Sequence, residues 1–487
     1  MASAAANEAV ATAGAGVGAL TAESNDYFAK RALKKGSAGW LLLAGLGVSY
    51  VISGDFSGWN LGMAHGGFGG LLIAFGLMGL MYACMVLGLA EMSSALPTAG
   101  AGYGFARRAL GKLGGYATGV AILVEYSIAP AAIAVFIGGY VESLGLFPGL
   151  SPIVIYGACF ALFICIHLIG VGEALKVMFC ITAVAIVALV AFAAGMIPHF
   201  DAANLFNIAA DGSLGSGGFL PYGVSGVLAA LPFGIWFFLA VEGVPLAAEE
   251  ANDPKKDMPK GIIAAMAVLV VTGLSVLLLC PGGAGAALIG ESGAPLPDAL
   301  NAVGETGLAT FVNYAGLAGL VASFFSIVFA YSRQLFALSR AGYLPRFLSV
   351  TNGRKTPTWA LLVPGGIGFV LASALQNGDI LINIAVFAAA ISYALMNLSH
   401  IVLRVKEPDL PRAYRTPGGV VTTGIALVLS CVAVVATFFV DTTAALCAAA
   451  VMVAFVAYFL AYSRKHLVAN APEEEFACLA AAESELR

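Results

Sequence analysis

Three carboxylates, Asp55, Glu125 and Glu242, stand inside long apolar runs of this 487-residue chain. A charge at the centre of a bilayer costs at least ~2.5–3.5 kcal/mol on insertion scales, so each asks for a compensating partner. No Lys or Arg lies deep enough in those runs to supply one. That leaves a cationic ligand, a coupling ion or a bound proton, against the plainer alternative of a structural hydrogen bond. Two of the three sit in helix-breaking sequence. Ser53-Gly54-Asp55-Phe56-Ser57-Gly58 sets two glycines and two serines around its acid, and Ala240-Val241-Glu242-Gly243-Val244-Pro245 sets a glycine and a proline beside its own. In lipid every backbone group needs a partner, so such interruptions persist only where they line a cavity or are buried in protein.

The elements that must hold these residues follow from composition. The chain is 60% hydrophobic and only 10% charged, with a mean hydropathy of +0.94, far more apolar than a soluble core requires. Spanning helices need roughly 20 apolar residues, and twelve such runs are read at 38–64, 67–93, 113–142, 152–169, 174–197, 224–250, 261–280, 309–340, 358–376, 379–403, 420–440 and 442–463. Continuous runs of this length are helices, because barrel strands would alternate over about ten residues. Charge tests the count independently. With the N-terminus inside, all 23 basic residues fall on cytoplasmic segments, while the opposite loops carry acids such as Glu142, Asp211, Glu291 and Asp379. Glu125, 13 residues past Lys112, then lies roughly 20 Å in, near mid-membrane.

The two breaks fall in spans one and six, which are equivalent positions in a five-plus-five inverted repeat. Such a matched pair is the sequence pointer to the central site of a carrier. The expected layout is a cytoplasmic N-terminal segment (1–35), a first repeat (36–200), a second (201–404), two peripheral helices (405–465) and an acidic cytoplasmic tail (466–487). No nucleophile–base pair, metal-ligand cluster or phosphate loop argues for an enzyme. Nothing points to a nucleic acid partner, a cofactor or a metal, and the eight cysteines read as small apolar residues in helices. A channel would want a polar pore with charged or carbonyl rings, and a sensor a soluble signalling domain.

Four stretches carry a resemblance. Pro97-Thr98-Ala99-Gly100-Ala101-Gly102-Tyr103 with Arg107-Arg108, Glu249-Glu250-Ala251-Asn252-Asp253-Pro254, Leu338-Ser339-Arg340-Ala341-Gly342-Tyr343-Leu344-Pro345, and Leu403-Arg404-Val405-Lys406-Glu407-Pro408 running on to Gly419 follow the second, sixth, eighth and tenth spans. In that order they resemble the amino acid–polyamine–organocation transporters, over roughly residues 36–465. The resemblance implies an all-α membrane fold of twelve spans, with a five-plus-five inverted repeat, broken helices one and six, and alternating access of a small-molecule substrate.

One departure bears on the substrate. In typical members the first break reads Gly-Ser-Gly before an apolar residue, and its bare amides hold the carboxylate of an amino acid. Here it reads Ser53-Gly54-Asp55, an acid expected to satisfy those amides and repel a substrate carboxylate. The stretch Ser49–Asn60 is similar to the ethanolamine permease branch, which implies a small amine. Asp55 or Glu125 would pair its ammonium, Ser53 and Ser57 its hydroxyl, and Phe56, Ala240 and Glu242 would complete the breaks. Tyr126, Trp236 and Phe237 would form a cation–π wall. An amino acid or polyamine permease of the same fold is the alternative. Glu91, Glu249 and Glu250, at span ends, read as ion pairs. Some proton-coupled relatives carry a lysine in the fifth helix. Thr182-Ala183-Val184-Ala185 has none and Lys176 lies near the end, so coupling stays open between protons, sodium (with Ser323 and Ser326 as oxygens between helices one and eight) and uncoupled uniport or exchange.

Overall fold

The computed structural model describes residues 38–96, 100–145, 147–169 and 172–468, without the side chains of 172–176, 249 and 250. The N-terminal segment, Pro97-Thr98-Ala99, the Lys176, Glu249 and Glu250 side chains and most of the acidic tail therefore lie outside the described residues. Among the described residues the chain is helical, with two isolated bridges and no strand. Eleven helices are long and apolar enough to cross a membrane. The first span is shorter because it is broken, running Trp40–Val51 and then Ser53–Phe56 before helix resumes at Leu61. We number the spans in chain order. Span 2 ends the helix Leu61–Ala95, whose first turns finish span 1. Spans 3 to 5 are Gly102–Ser143, Pro152–Ile169 and Gly172–Met196. Span 6 is Gly223–Trp236 followed, past its break, by a 3-10 stretch Val241–Glu250. Spans 7 to 12 are Pro254–Ala284, Thr306–Arg340, Thr358–Leu375, Gly378–Lys406, Val420–Val440 and Thr442–Ala461. The protein is a multi-pass membrane protein.

Local chemistry sets the corners. Gly67, with φ 67°, turns the end of span 1 into span 2, and a Cβ there would meet Pro221 Cγ at 2.3 Å, so only glycine serves. Asn377 caps span 10 by accepting from the Ile380 amide (3.2 Å), and Asp441 caps span 12 through Ala444 (2.8 Å). Span 7 begins earlier than hydropathy indicates. Pro254 occupies its first turn, where a missing N–H costs nothing, and the charged turn Lys255–Lys260 is helical without being apolar. Two short helices absent from the sequence reading, Ala286–Glu291 and Pro295–Ala302, connect spans 7 and 8. Asn60 holds them to the first break through the Ile289 (2.9 Å) and Ser292 (2.8 Å) carbonyls.

The spans exchange partners as an inverted repeat requires. Span 2 packs on span 6 and span 7 on span 1; span 3 packs on span 10 and span 8 on span 5; span 1 meets span 5 and span 6 meets span 10. Spans 3, 6 and 8 are buried nearly all round, whereas spans 4, 5, 9, 11 and 12 keep most of their surface outward. Lipid is as apolar as leucine, so close backbone approach replaces hydrophobic drive. Gly316 and Gly319 of span 8 accordingly press on the Phe56 ring, where added Cβ atoms would sit at 2.8 and 3.0 Å.

Candidate functional site

The two breaks touch. A Cβ on Gly54 would lie 2.5 Å from the Trp236 carbonyl oxygen, so span 1 unwinds directly against the end of the helical part of span 6. Ser57 is extended (φ −160°, ψ 161°) and Gly58 left-handed (φ 92°). On the other side, Ala240 adopts φ 81°, ψ 2°, a conformation costing an alanine on the order of 1–2 kcal/mol. Three of the carbonyls freed in span 1 are taken up by side chains. Trp59 Nε1 donates to the Asp55 carbonyl (3.2 Å), Tyr140 Oη to that of Phe56 (2.8 Å) and Trp236 Nε1 to that of Ser57 (3.0 Å).

Those bonds correct one expectation. Asp55 does not satisfy the amides of its own break: the Ser57 amide goes to the Ser53 carbonyl (2.9 Å) and the Gly58 amide to Asn60 Oδ1 (3.1 Å). The turn Ser53–Phe56 instead rotates the Asp55 carboxylate towards span 7, where Oδ1 would lie 3.4 Å from a Cβ on Gly273, next to the Phe75 and Phe237 rings. Asp55 is fully buried, and among the described residues neither of its oxygens has a hydrogen-bond partner. The Thr272 hydroxyl runs alongside it but turns back to the Val268 carbonyl (3.1 Å). Phe237 stands edge-on to Phe75 (5.0 Å between centroids) and tilted against Trp59 (5.5 Å), so the acid is walled by aromatic rings.

Glu125 and Glu242 form a second, separate group. Tyr126, the residue after Glu125, bonds Glu242, so the two carboxyls are close neighbours. Tyr126 Oη donates to Glu242 Oε1 (2.8 Å) and Tyr393 Oη to Glu125 Oε1 (2.9 Å), while Tyr82 Oη donates to Tyr393 Oη (2.7 Å). The two Oε2 atoms have no hydrogen-bond partner among the described residues. Of three acids grouped as one candidate site by sequence, two meet and the third faces another helix. Tyr82, Tyr393, Phe75 and Thr272 were missed. Tyrosine and threonine are common in such spans, and only their distant partners distinguish these four.

Ser53 Oγ and Ser323 Oγ lie 2.8 Å apart, with Ser323 donating to the Tyr50 carbonyl (2.7 Å), and Ser49 and Ser326 pair their hydroxyls at 2.6 Å. The serines weighed as ion ligands thus join span 1 to span 8. Glu91 is an ion-pair centre, taking Arg404 Nη2 (2.6 Å), Arg412 Nε (2.8 Å) and the Thr416 amide (2.7 Å), with His400 Nε2 at 3.2 Å. No group of three or more His, Cys, Asp or Glu able to hold a metal occurs among the described residues.

On the face that carries the acidic loops, a vestibule of about 660 Å³ descends between spans 1, 3 and 4, from Glu142 and Glu291 down to Ser57 and Phe136. Phe136 in its lining packs edge to face on Trp236, with the ring centroids 5.9 Å apart. On the opposite side of the broken helix, a cavity of only about 20 Å³ lies among Leu42, Leu46, Phe179 and Ser326. The larger cavity thus reaches from the acidic loops to Ser57 in the break of span 1.

Residues 41–470 match the family described as amino acid permease. An uncharacterized transporter of Rhizobium meliloti is 28% identical over 403 residues, 81% of this chain and 84% of the relative. The branched-chain amino acid permease BcaP of Bacillus subtilis is 28% identical over 422 residues (82% and 87%). The methylthioribose transporter of the same bacterium is 29% identical over 425 residues (82% and 86%). With the match covering most of its length and all of its spans, the chain belongs to the amino acid permease family.

Proposed function

We propose that this transporter imports a small organic amine, ethanolamine first among candidates, across a bacterial inner membrane by alternating access, with both termini in the cytoplasm. The observation that carries the reading is Asp55, a buried carboxylate with both oxygens unpartnered among the described residues, beside the Phe237 and Phe75 rings. A buried carboxyl in an aromatic enclosure favours an ammonium, which brings the counter-charge that the acid lacks and gains cation–π attraction. The same charge penalises a substrate that brings its own carboxylate to the first break. Substrate enters from the vestibule past Phe136 and Trp236. The half-helices of spans 1 and 6 act as hinges for the change of access.

A second reading is an amino acid carrier, favoured by the name of the branched-chain permease relative. Uptake of labelled ethanolamine into proteoliposomes, with ethanolamine, alanine or putrescine in excess, separates the two. Saturable uptake blocked by ethanolamine alone, and abolished by Asp55→Asn, is expected. Equal competition by alanine, or normal transport by the variant, would sink the amine reading.

A further inference from the structure

Glu125 and Glu242 are left over once Asp55 is given the amine. They come from different repeats, span 3 and span 6, and meet in a site where Glu125 is 0% and Glu242 3% exposed. The groups that face them are tyrosines: Tyr126 from span 3, Tyr393 from span 10, Tyr82 from span 2 and, beside Tyr126, Tyr50 from span 1. Each Oε1 already accepts a phenol proton, and neither tyrosine has a second proton to give. Each glutamate keeps one carboxyl oxygen that no group among the described residues bonds. Two adjacent carboxylates away from water cannot both stay ionised without a counter-charge. The Lys and Arg residues of the chain cluster at span ends, and His400 is engaged by Glu91.

We infer that Glu125 and Glu242 together form a proton-binding site, holding one proton between the two carboxyls as the ion coupled to substrate. Loading moves one H⁺ from water onto a carboxylate oxygen, and unloading returns it to water on the other face. No bond of the substrate changes. Glu242 lies two residues past Ala240, where span 6 unwinds, whereas Glu125 stands in the unbroken helix of span 3 beyond its kink at Gly111. Movement of the span 6 break relative to span 3 would part the carboxyls and release the proton, which links its occupancy to the direction the site faces.

The inference rests on the carrier reading but not on ethanolamine, and its test keeps them apart. Infrared spectra of the purified full chain read the C=O stretch of a protonated carboxylic acid without any substrate. A buried band should be present in wild type, be lost in both Glu125→Gln and Glu242→Gln, and persist in Asp55→Asn. In proteoliposomes, labelled ethanolamine and labelled alanine are each followed with and without an inward proton gradient. For whichever is transported, the several-fold stimulation in wild type should fall to unity in the two glutamine variants, and Tyr393→Phe should shift its pH profile. A band unchanged by both glutamine variants, or undiminished stimulation in them, overturns the proton site. Transport of alanine with stimulation intact overturns only the amine.

Discussion

Trp236 of span 6 donates its indole N–H to the main-chain carbonyl of Ser57 in span 1, at 3.0 Å. One side chain thereby ties the two breaks together and also packs edge to face on Phe136, which lines the vestibule. Trp236→Phe keeps an aromatic ring but leaves that buried carbonyl without its donor. The expected loss is about 1–3 kcal/mol of stability, read as earlier thermal unfolding in detergent, together with weaker saturable uptake. Unchanged melting and uptake would show the bond to be idle.

Gly54 is the point of closest approach between the broken helices. Gly54→Ala drives a Cβ to 2.5 Å from the Trp236 carbonyl oxygen and 3.3 Å from Phe237 Cα. Backbone cannot give way as a side chain can, so the substitution should cost about 1–3 kcal/mol and remove transport. A variant that melts and transports like wild type would mean that the breaks do not pack this closely.

Glu91 anchors the segment after span 10. Glu91→Gln removes the charge that Arg404 and the 4%-exposed Arg412 side chain both address. Stranding buried cations is costly, about 3–5 kcal/mol where one partner of a buried pair is removed. A large fall in melting temperature is expected, with the substrate preference of any surviving protein unaltered. A change in competitor preference without a change in melting would instead place Glu91 on the transport path.

The serine contacts between spans 1 and 8 give a milder prediction. Ser323→Ala deletes a hydroxyl bonded to the Tyr50 carbonyl and to Ser53, worth about 1 kcal/mol. With the coupled proton on Glu125 and Glu242, replacing sodium by potassium should leave uptake unchanged. A strict sodium requirement lost in Ser323→Ala would return these oxygens to the role of ion ligands.

Much of the architecture was legible in the chain alone. Hydropathy is a property of contiguous residues, and a spanning segment is defined by its own length, so all twelve spans were found, as were both breaks, which announce themselves by glycine, proline and acid in an apolar run. Boundaries failed where helix is polar: Pro254 to Lys260 is charged yet helical, and Pro295–Ala302 is too short to register. What only the tertiary structure decided is which buried polar groups meet. Tyr393 reaches Glu125 across 268 residues of sequence, and Tyr126 reaches Glu242 across 116. No local signal encodes such distances. Asp55 was identified as a site residue, yet its direction, away from its own amides and towards Thr272 and Gly273, depends on how one turn of helix is rotated when span 1 packs against spans 6 and 7. That rotation is set by close contacts such as Gly54 on the Trp236 carbonyl, which exist only once the helices have assembled.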